Sequence, residues 1–425
     1  MIRTIDDKRD FDKIFKRSRT DYENLRESVK KIIDSVKSEG DKALLGYTEK
    51  FDKITLSPET MLVSEEEFDR AYKSVDEKTI DALRAAKDNI AAYNRRQVRE
   101  NNIVTDKGKT TGYIVKPMTR AGIYVPGGKA AYPSTVLMCA IPAKVAGVGE
   151  IIMTTPGAET NPLTLVAARE CGVDKVFKVG GAQAIAAMAY GTESVPKVDV
   201  ISGPGNIYVA LAKREVYGDV GIDMVAGPSE ILIIADDSAN ADFIAADMLS
   251  QAEHDEMAMS ILITPSRNLS EEVKSRLYSR LEKLSRKSIA EKSLENYGAI
   301  VIVDSIEEGI SVANSVAPEH LELCLDDVEK YLSQIQNAGA VFIGNYSPEP
   351  LGDYYAGPNH VLPTGGTAHY ASSLGVDNYI KKISIIRYDS EALSEVGETI
   401  ETLAKAEGLT AHAKAISARR SKKGD

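Results

Sequence analysis

The chain has 425 residues, of which 43% are apolar and 27% are charged, and its formal net charge is -11. This length allows two or three domains around a large core, and the composition is ordinary for a soluble globular enzyme. The acidic balance argues against nucleic acid as the main partner, because binding to phosphates needs a basic surface.

The N-terminus and the cysteines predict a cytoplasmic protein. The first residues are charged and contain no apolar segment of a secretion signal. The sequence offers no run of about eighteen apolar residues to span a bilayer. The three cysteines, Cys139, Cys171 and Cys324, show no C-x-x-C spacing. Neither a disulfide framework nor a thiolate zinc site is therefore expected.

The first 100 residues predict helices that cover a sheet. Apolar residues recur at helical spacing over residues 23–38, and Gly40 can end this helix. Residues 66–100 predict further helices with charged faces, and nothing in them indicates a site.

From Gly122 the chain alternates between short β-rich runs and helical runs, which predicts parallel sheets covered by helices. In a first series we expect strands at 122–125, 150–155, 175–179 and 198–202, and helices at 134–146, 162–171, 182–190 and 206–215. In a second series we expect strands at 230–235, 259–264, 299–303 and 339–343, and helices at 240–255, 270–284 and 306–316. Such sheets bind ligands at the carboxyl ends of their strands.

Glycine-rich loops follow the strands of the first series, at residues 126–129, 180–183, 203–206 and 227–230. Glycine lets a backbone approach a ligand closely, and a helix start offers N–H groups to an anion such as a dinucleotide pyrophosphate. The segment 122–129 is one residue too long for a P-loop, and no G-x-G-x-x-G is present. Tight turns without a ligand are therefore an equal alternative.

The helix expected after strand 230–235 carries Gln251 and His254, which are three residues apart and therefore share a face. Ser238 or Asn240 can cap its start. An amide oxygen and an imidazole on one face can hold a metal ion or a polar substrate, although a single helical histidine is more often structural. Nitrogen and oxygen ligands suit zinc, and also manganese or cobalt.

Residues 344–375 predict little secondary structure, and a loop of this length in a compact protein is functional or disordered. Its aromatic residues and histidines argue against disorder. Asp353 in this loop is either a metal ligand or part of an Asx-turn.

Glu319 and His320 place a carboxylate beside an imidazole after Pro318. In a turn both side chains can enter one cleft, where two bases serve two successive proton removals. An exposed glutamate next to a capping histidine is the alternative. Neither H-E-x-x-H nor G-x-S-x-G is present, so a zincin protease and a hydrolase nucleophile elbow are unsupported.

The C-terminal part predicts two helices, one that carries an apolar stripe up to Leu403 and one at about 410–419 that carries His412. Short helices need a surface on which to bury their stripe, and a partner subunit could supply it.

Several long segments resemble one enzyme family. They are Gly221-Ile-Asp-Met-Val-Ala-Gly-Pro-Ser-Glu-Ile-Leu-Ile-Ile-Ala-Asp236, Ser250-Gln-Ala-Glu-His-Asp255, Tyr124-Val-Pro-Gly-Gly128, Gly180-Gly-Ala-Gln-Ala-Ile-Ala-Ala187, Gly203-Pro-Gly-Asn-Ile-Tyr208, Ala317-Pro-Glu-His-Leu321 and Gly357-Pro-Asn-His-Val-Leu-Pro-Thr-Gly365. Together they resemble the L-histidinol dehydrogenase family. The resemblance runs from about Tyr22 to Ser417, nearly the whole chain.

The resemblance implies oxidation of L-histidinol through L-histidinaldehyde to L-histidine, the last steps of histidine biosynthesis, with NAD as co-substrate. It implies one zinc ion per site and a homodimer in which the C-terminal helices reach the partner's site. It implies that Glu319 activates water and that His320 is the general base.

The resemblance also implies the remaining site residues. The implied metal ligands are Gln251, His254, Asp353 and His412. The implied substrate contacts are Ser229, His360 and Glu407, together with His320 and the four metal ligands. The implied NAD contacts are Tyr124, Gln183 and Asn206.

The implied fold is α/β, with two Rossmann-like parallel-sheet domains flanked by N-terminal helices and a C-terminal helical arm. The expected domains are an N-terminal helical segment at 1–25, a metal and substrate domain at 26–123 and 229–375, an NAD-binding domain at 124–228, and an arm at 376–425 that reaches the partner subunit.

Two other functions stay open on the residues alone. A zinc amidohydrolase-type enzyme would use Glu319 with a metal-bound water and would not depend on NAD. A non-catalytic binding protein with a structural metal would have no activity to lose when His320 is replaced.

Overall fold

The structure is a computed structural model that describes residues 2–6, 23–127 and 132–420. The chain divides into two compact units. The first comprises Met1–Gln97 and Met118–Tyr379, and the second comprises Val98–Pro117 and Ile380–Asp425.

The elements of the described residues are as follows. The strands are β1 (Arg3–Ile5), β2 (Asn102–Asp106), β3 (Lys109–Pro117), β4 (Arg120–Tyr124), β5 (Glu150–Thr154), β6 (Lys175–Phe177), β7 (Val200–Ser202), β8 (Gly221–Ile222), β9 (Glu230–Ala235), β10 (Met259–Thr264), β11 (Gly298–Ile302), β12 (His320–Cys324), β13 (Ala340–Ile343) and β14 (Ile380–Tyr388). The helices are α1 (Glu23–Glu39), α2 (Asp41–Asp52), α3 (Pro58–Met61), α4 (Glu65–Ser74), α5 (Glu77–Arg95), α6 (Pro133–Ala146), α7 (Pro162–Glu170), α8 (Gly181–Tyr190), α9 (Ile207–Val216), α10 (Ala241–Ala252), α11 (Arg267–Leu281), α12 (Lys287–Tyr297), α13 (Ile306–Val316), α14 (Glu329–Leu332), α15 (Glu349–Tyr354), α16 (Ser390–Ala406) and α17 (Thr410–Arg420).

A five-stranded sheet in the first unit has the order β6-β5-β4-β7-β8, and all its pairs are parallel. Successive side chains of a strand point to opposite faces, so β5 contributes Ile151 and Met153 to one core and Ile152 to the other. Helices α5, α6 and α7 cover the first face, and α1, α2, α8 and α9 cover the second. Each fully buried aliphatic side chain contributes roughly 1.5–3 kcal/mol to this packing.

A six-stranded sheet in the same unit has the order β1-β11-β10-β9-β12-β13, again with parallel pairs throughout. Every residue of β9 and of β10 is buried, as expected for parallel strands covered on both faces. Helices α10, α11 and α12 pack on one face, and α13 packs on the other.

The predicted α/β class with two parallel sheets is confirmed. One difference is β1, which pairs with β11 although the sequence pattern predicts helix there. The sequence pattern does not indicate this strand, because it is only three residues long and its partner β11 lies far away in the chain. The predicted helical segment at 1–25 otherwise falls largely on residues 7–22, which lie outside the described residues. The predicted domain boundaries stay a prediction.

The second unit is built on an antiparallel sheet with the order β14-β3-β2. Its β2–β3 hairpin turns through Lys107 (φ 44°) and Gly108 (φ 72°), the two positive φ angles of a tight hairpin. Both predicted C-terminal helices are present as α16 and α17. The sheet itself is not predicted, because its strands are largely exposed and show no apolar run.

Within the described ranges, no helix combines the length and the apolar character that crossing a bilayer requires.

Candidate active site

Most of the predicted catalytic and metal-binding residues meet at the amino edge of the six-stranded sheet. His320 is the first residue of β12 and Glu230 is the first residue of β9, the neighbouring strand. Helix α10 connects β9 to the parallel strand β10, so it must run back across the sheet and end at this same edge. Its last turn carries Gln251. This cluster therefore lies at the edge opposite to the carboxyl ends, where the sequence predicted the ligand site.

His320 is held in one tautomer by the backbone. Its Nδ1 lies 2.9 Å from the carbonyl oxygen of Glu230, which can only accept, so Nδ1 carries the proton and Nε2 carries the lone pair. Among the described residues this buried Nε2 has no hydrogen-bond partner. Burial lowers the pKa of His320 to about 4, so the imidazole is neutral at pH 7. His320 can therefore accept a proton at Nε2.

Glu319 is buried beside this imidazole. Its Oε2 accepts a hydrogen bond from the backbone N–H of Glu230 at 2.8 Å and lies 3.8 Å from Nδ1 of His320. Burial, and next the nearby carboxylate of Glu230, raise the pKa of Glu319 well above its usual range. Because Glu319 precedes the first residue of β12, the alternation of a strand does not separate it from His320. The two predicted bases thus lie side by side.

A group of metal-ligating side chains lies at the same edge. The ligand atoms of His254, Glu349 and Asp353 all lie within 4.8 Å of one another. Helix α10 ends at Ala252, so the prediction that Gln251 and His254 share a helical face is wrong. The chain forms a turn where the helix was expected to continue, and in this turn the N–H of His254 donates to the carbonyl oxygen of Gln251 at 3.2 Å.

Asp353 lies on helix α15, where the sequence predicts a loop. Glu349 precedes Asp353 by four residues on this helix, so both carboxylates face the same side. Sequence reasoning missed Glu349, although its spacing from Asp353 would have indicated it if the helix had been expected. Burial raises the pKa of Asp353 to about 6, and burial followed by the charge of Asp353 raises the pKa of Glu349 to about 8.

Gln251 supplies an independent sign of a ligand. Its side chain is fully buried, and within the described part of the chain neither its amide oxygen nor its amide nitrogen has a hydrogen-bond partner. An unpaired buried polar group costs about 1–3 kcal/mol, which a bound ion or substrate would offset. The donor set of imidazole nitrogen, carboxylate and amide oxygen fits a zinc ion.

Two further predicted substrate contacts lie near this group. Nδ1 of His360 lies 3.1 Å from the carbonyl oxygen of Asp353, and its Nε2 lies 3.4 Å from Oγ1 of Thr135 on α6. Burial lowers the pKa of His360 to about 4. Ser229 directly precedes β9, and its carbonyl oxygen accepts from Met259 at 3.0 Å.

The three predicted NAD contacts lie at the carboxyl edge of the five-stranded sheet. Tyr124 ends β4, and its hydroxyl accepts the N–H of Gly181 at 3.1 Å at the start of α8. Gln183 is buried two residues further along α8. Asn206 caps α9 by accepting from the N–H groups of Tyr208 and Val209. Residues 128–131 of the glycine-rich loop after Tyr124 lie outside the described residues.

Glu407 and His412 belong to the second unit. Glu407 follows the last residue of α16, His412 lies in the first turn of α17, and both are exposed. Their roles stay predictions.

Comparison with known proteins places these observations in a family. A model of the family described as histidinol dehydrogenase matches residues 15–420. The chain belongs to the histidinol dehydrogenase family. The histidinol dehydrogenase of Clostridium acetobutylicum is 52% identical over 420 residues, which are 98% of this chain and 97% of that protein.

A relative in Caldanaerobacter subterraneus subsp. tengcongensis, also a histidinol dehydrogenase, is 52% identical over 411 residues, or 96% of each chain. The crystal structure of histidinol dehydrogenase from Elizabethkingia anophelis superimposes with a TM-score of 0.93 at 40% identity and covers 98% of both chains. The resemblance found in the sequence motifs is thereby confirmed, and so is the expectation that the chain belongs to a dehydrogenase family.

Proposed function

We propose that this chain oxidises L-histidinol through L-histidinaldehyde to L-histidine and transfers two hydrides to two molecules of NAD. The change from alcohol to carboxylate consumes one water and releases three protons. The observation that supports this most strongly is the neutral, buried His320, whose Nε2 lone pair has no hydrogen-bond partner among the described residues, next to Glu319. The family assignment supplies the substrate.

His320 is the general base in both oxidations. In the first, Nε2 takes the hydroxyl proton of the alcohol while the carbinol carbon gives its hydride to the nicotinamide. In the second, Nε2 takes a hydroxyl proton from the hydrated aldehyde as the second hydride leaves. The hydrogen bond from Nδ1 to the carbonyl of Glu230 keeps Nε2 ready to accept each proton.

Glu319 activates the water that adds to the aldehyde. Its pKa lies well above that of an ordinary carboxyl group, and a carboxylate of raised pKa is a stronger base toward water. The N–H of Glu230 fixes Oε2 in place, so the water is oriented as well as deprotonated.

Gln251, His254 and Asp353 of the first unit would hold zinc, with His412 as the fourth ligand, and Glu349 lies close enough to share this role. Zinc, when bound, supplies a fixed positive charge that orients the amine and imidazole nitrogens of the substrate. Tyr124, Gln183 and Asn206 bind NAD at the other sheet.

We also propose a homodimer in the cytoplasm, in which Glu407 and His412 serve the site of the partner subunit. Support comes from apolar side chains of the second unit, since Ile386 is 78% and Leu403 is 61% exposed. Mixing two inactive variants, His412→Asn and His320→Asn, should restore part of the activity through heterodimers. No recovery would indicate that one chain builds each site.

The proposed activity is tested by adding histidinol and NAD to the purified enzyme and following NADH absorbance, histidine formation and metal content. We expect two NADH for each histidinol consumed and one metal ion per chain. The rival amidohydrolase-type activity, in which Glu319 acts with a metal-bound water, predicts no NADH at all, and that result would overturn the proposal.

A further inference from the structure

A buried ion pair lies beside the loop that follows β7. Lys213 on α9 and Asp223, which follows β8, form this pair, and their side chains are only 3% and 0% exposed. Burying two charges costs several kcal/mol for each ion, and an apolar pair of similar volume is often equally stable. Stability alone therefore does not explain why charges occupy these positions.

Both side chains bind the same residue, Gly203. Nζ of Lys213 donates to the carbonyl oxygen of Gly203 at 3.0 Å, and the N–H of Gly203 donates to Oδ2 of Asp223 at 2.8 Å. The other oxygen, Oδ1, accepts from the N–H of Met224 at 2.6 Å. The ion pair thus fixes the peptide groups on both sides of one glycine.

The backbone conformation and the close packing at position 203 require a glycine. Its φ of +110° is one that side chains rarely tolerate, and a Cβ added here would lie 2.2 Å from the carbonyl oxygen of Tyr124. The last strand residue before it, Ser202, is held by a hydrogen bond of 2.7 Å between its Oγ and the hydroxyl of Tyr379. The backbone path at the end of β7 is therefore fixed from several directions, close to the end of β4.

This glycine begins the segment 203–206, which ends in Asn206, the cap of α9. We propose that Lys213 and Asp223 are positioning residues for NAD, because they hold Gly203 beside the end of β4 and so fix the start of the segment that carries Asn206. Both side chains would act from the core, where they are buried. The proposal rests on the proposed function, in which NAD binds at this edge.

The test is the double variant Lys213→Met with Asp223→Leu, which removes both charges and leaves no unpaired ion in the core. We expect a folded protein in which the Kd for NAD rises at least about 10-fold. The KM for NAD should rise in parallel, while kcat at saturating NAD stays within about 3-fold of the parent. Metal content should be unchanged. Hydrogen exchange at the amide of Gly203 should become faster.

A matched control separates positioning from general loss of stability. Leu277→Ala removes a buried side chain from the core of the other sheet and is expected to lower stability without changing the Kd for NAD. The proposal is overturned if the double variant folds and binds NAD like the parent, or if it does not fold, because the pair would then serve the fold itself. If the proposed function itself were wrong, the parent enzyme would not bind NAD, and this result is distinct from a failure of the positioning proposal.

Discussion

The two sheets of the first unit are built alike, but their functional residues lie at opposite edges. In the five-stranded sheet, Tyr124 ends β4 and the loop from Gly203 follows β7, so the residues proposed for NAD lie at carboxyl ends. In the six-stranded sheet, His320 begins β12 and Glu319 directly precedes it, so the residues proposed for acid–base chemistry lie at an amino end.

The difference follows from what each edge must provide. A carboxyl edge offers loops and helix starts, whose free N–H groups suit a phosphate-containing cofactor. An amino edge receives helix ends, and here it brings the end of α10 next to the buried starts of β9 and β12. Burial at this edge lowers the pKa of His320 and raises the pKa of Glu319. One edge is thus suited to binding an anionic cofactor, and the other to moving protons.

The largest expected effect comes from the amino edge. His320→Asn removes the Nε2 lone pair but keeps a polar side chain of similar reach, and kcat should fall about 10³-fold, within the range for loss of a general base. The Kd for NAD should stay within a factor of two, since the residues proposed to bind NAD lie at the other sheet. As a control, His369→Asn changes an exposed histidine of a surface turn and should leave kcat unaltered. A comparable loss of kcat in both variants would contradict the assignment of His320 as the general base.

At the carboxyl edge, Gly203→Ala should lower the free energy of unfolding by about 3 kcal/mol or more, because it combines backbone strain with a clash against the carbonyl of Tyr124. Gly218→Ala is the matched control, since Gly218 has the same φ of +110° but nothing within 4 Å of the added Cβ. Its cost should be about 1 kcal/mol from strain alone. Chemical denaturation of both variants measures the difference, and equal losses would contradict the close packing of β4 and β7.

A third prediction concerns the carboxylates behind the amino edge. Burial, and next the charge of Glu349, raise the pKa of Asp247 to about 7. An acid whose pKa is raised in the folded state holds its proton more tightly there, so stability falls as pH rises from the ordinary value of about 4 to about 7. Asp247→Asn removes this loss. Three pKa units correspond to about 4 kcal/mol, and solvent screening of the partly exposed side chain reduces this value. The variant should therefore be about 2 kcal/mol more stable than the parent at pH 8 and equal to it near pH 4.

Thermal or denaturant unfolding of the metal-free protein across this pH range checks the sign. Asp242→Asn on the same helix is the control, because a hydrogen bond from Arg280 lowers the pKa of Asp242 and reverses the expected direction. A constant difference between Asp247→Asn and the parent at every pH would show that Asp247 does not titrate in this range.

The smallest effect separates two helix caps of the same type. Asn206 caps α9 at the carboxyl edge of the five-stranded sheet, and Asn240 caps α10 at that of the six-stranded sheet, each by accepting two backbone N–H groups. Replacing either with alanine should cost about 1 kcal/mol of stability. Only Asn206→Ala should also weaken NAD binding, measured by titration. Equal NAD affinity in both variants would contradict the proposed contact between Asn206 and NAD.

Sequence patterns predicted the local elements better than their arrangement. The buried strand β9 and the cap of α10 follow from an apolar run and from Asn240. The order of strands does not, because β12 pairs with β9, a strand far away in the chain. His320, for example, contacts the carbonyl oxygen of Glu230, which is 90 positions earlier in the sequence. Without that order, the meeting of Glu230 and His320 at one edge cannot be derived from spacing.

Helix α15 was missed for a local reason. Its six residues include Pro350 and Gly352, which are typical of loops, yet proline is tolerated in a first helical turn because no N–H is needed there. Missing this helix also hid the relation between Glu349 and Asp353. The roles of site residues came from the family resemblance, whereas the buried pair Lys213–Asp223 could be found only from the structure.

The most direct test of the separate roles of Glu319 and His320 is to measure the two oxidations separately in Glu319→Gln. The rate of NADH formation from histidinol under single-turnover conditions reports the first, and the rate from supplied histidinaldehyde reports the second. If Glu319 activates water and His320 removes the hydroxyl protons, the aldehyde oxidation falls at least about 100-fold while the alcohol oxidation falls less than about 10-fold. Equal losses in the two oxidations would contradict this assignment.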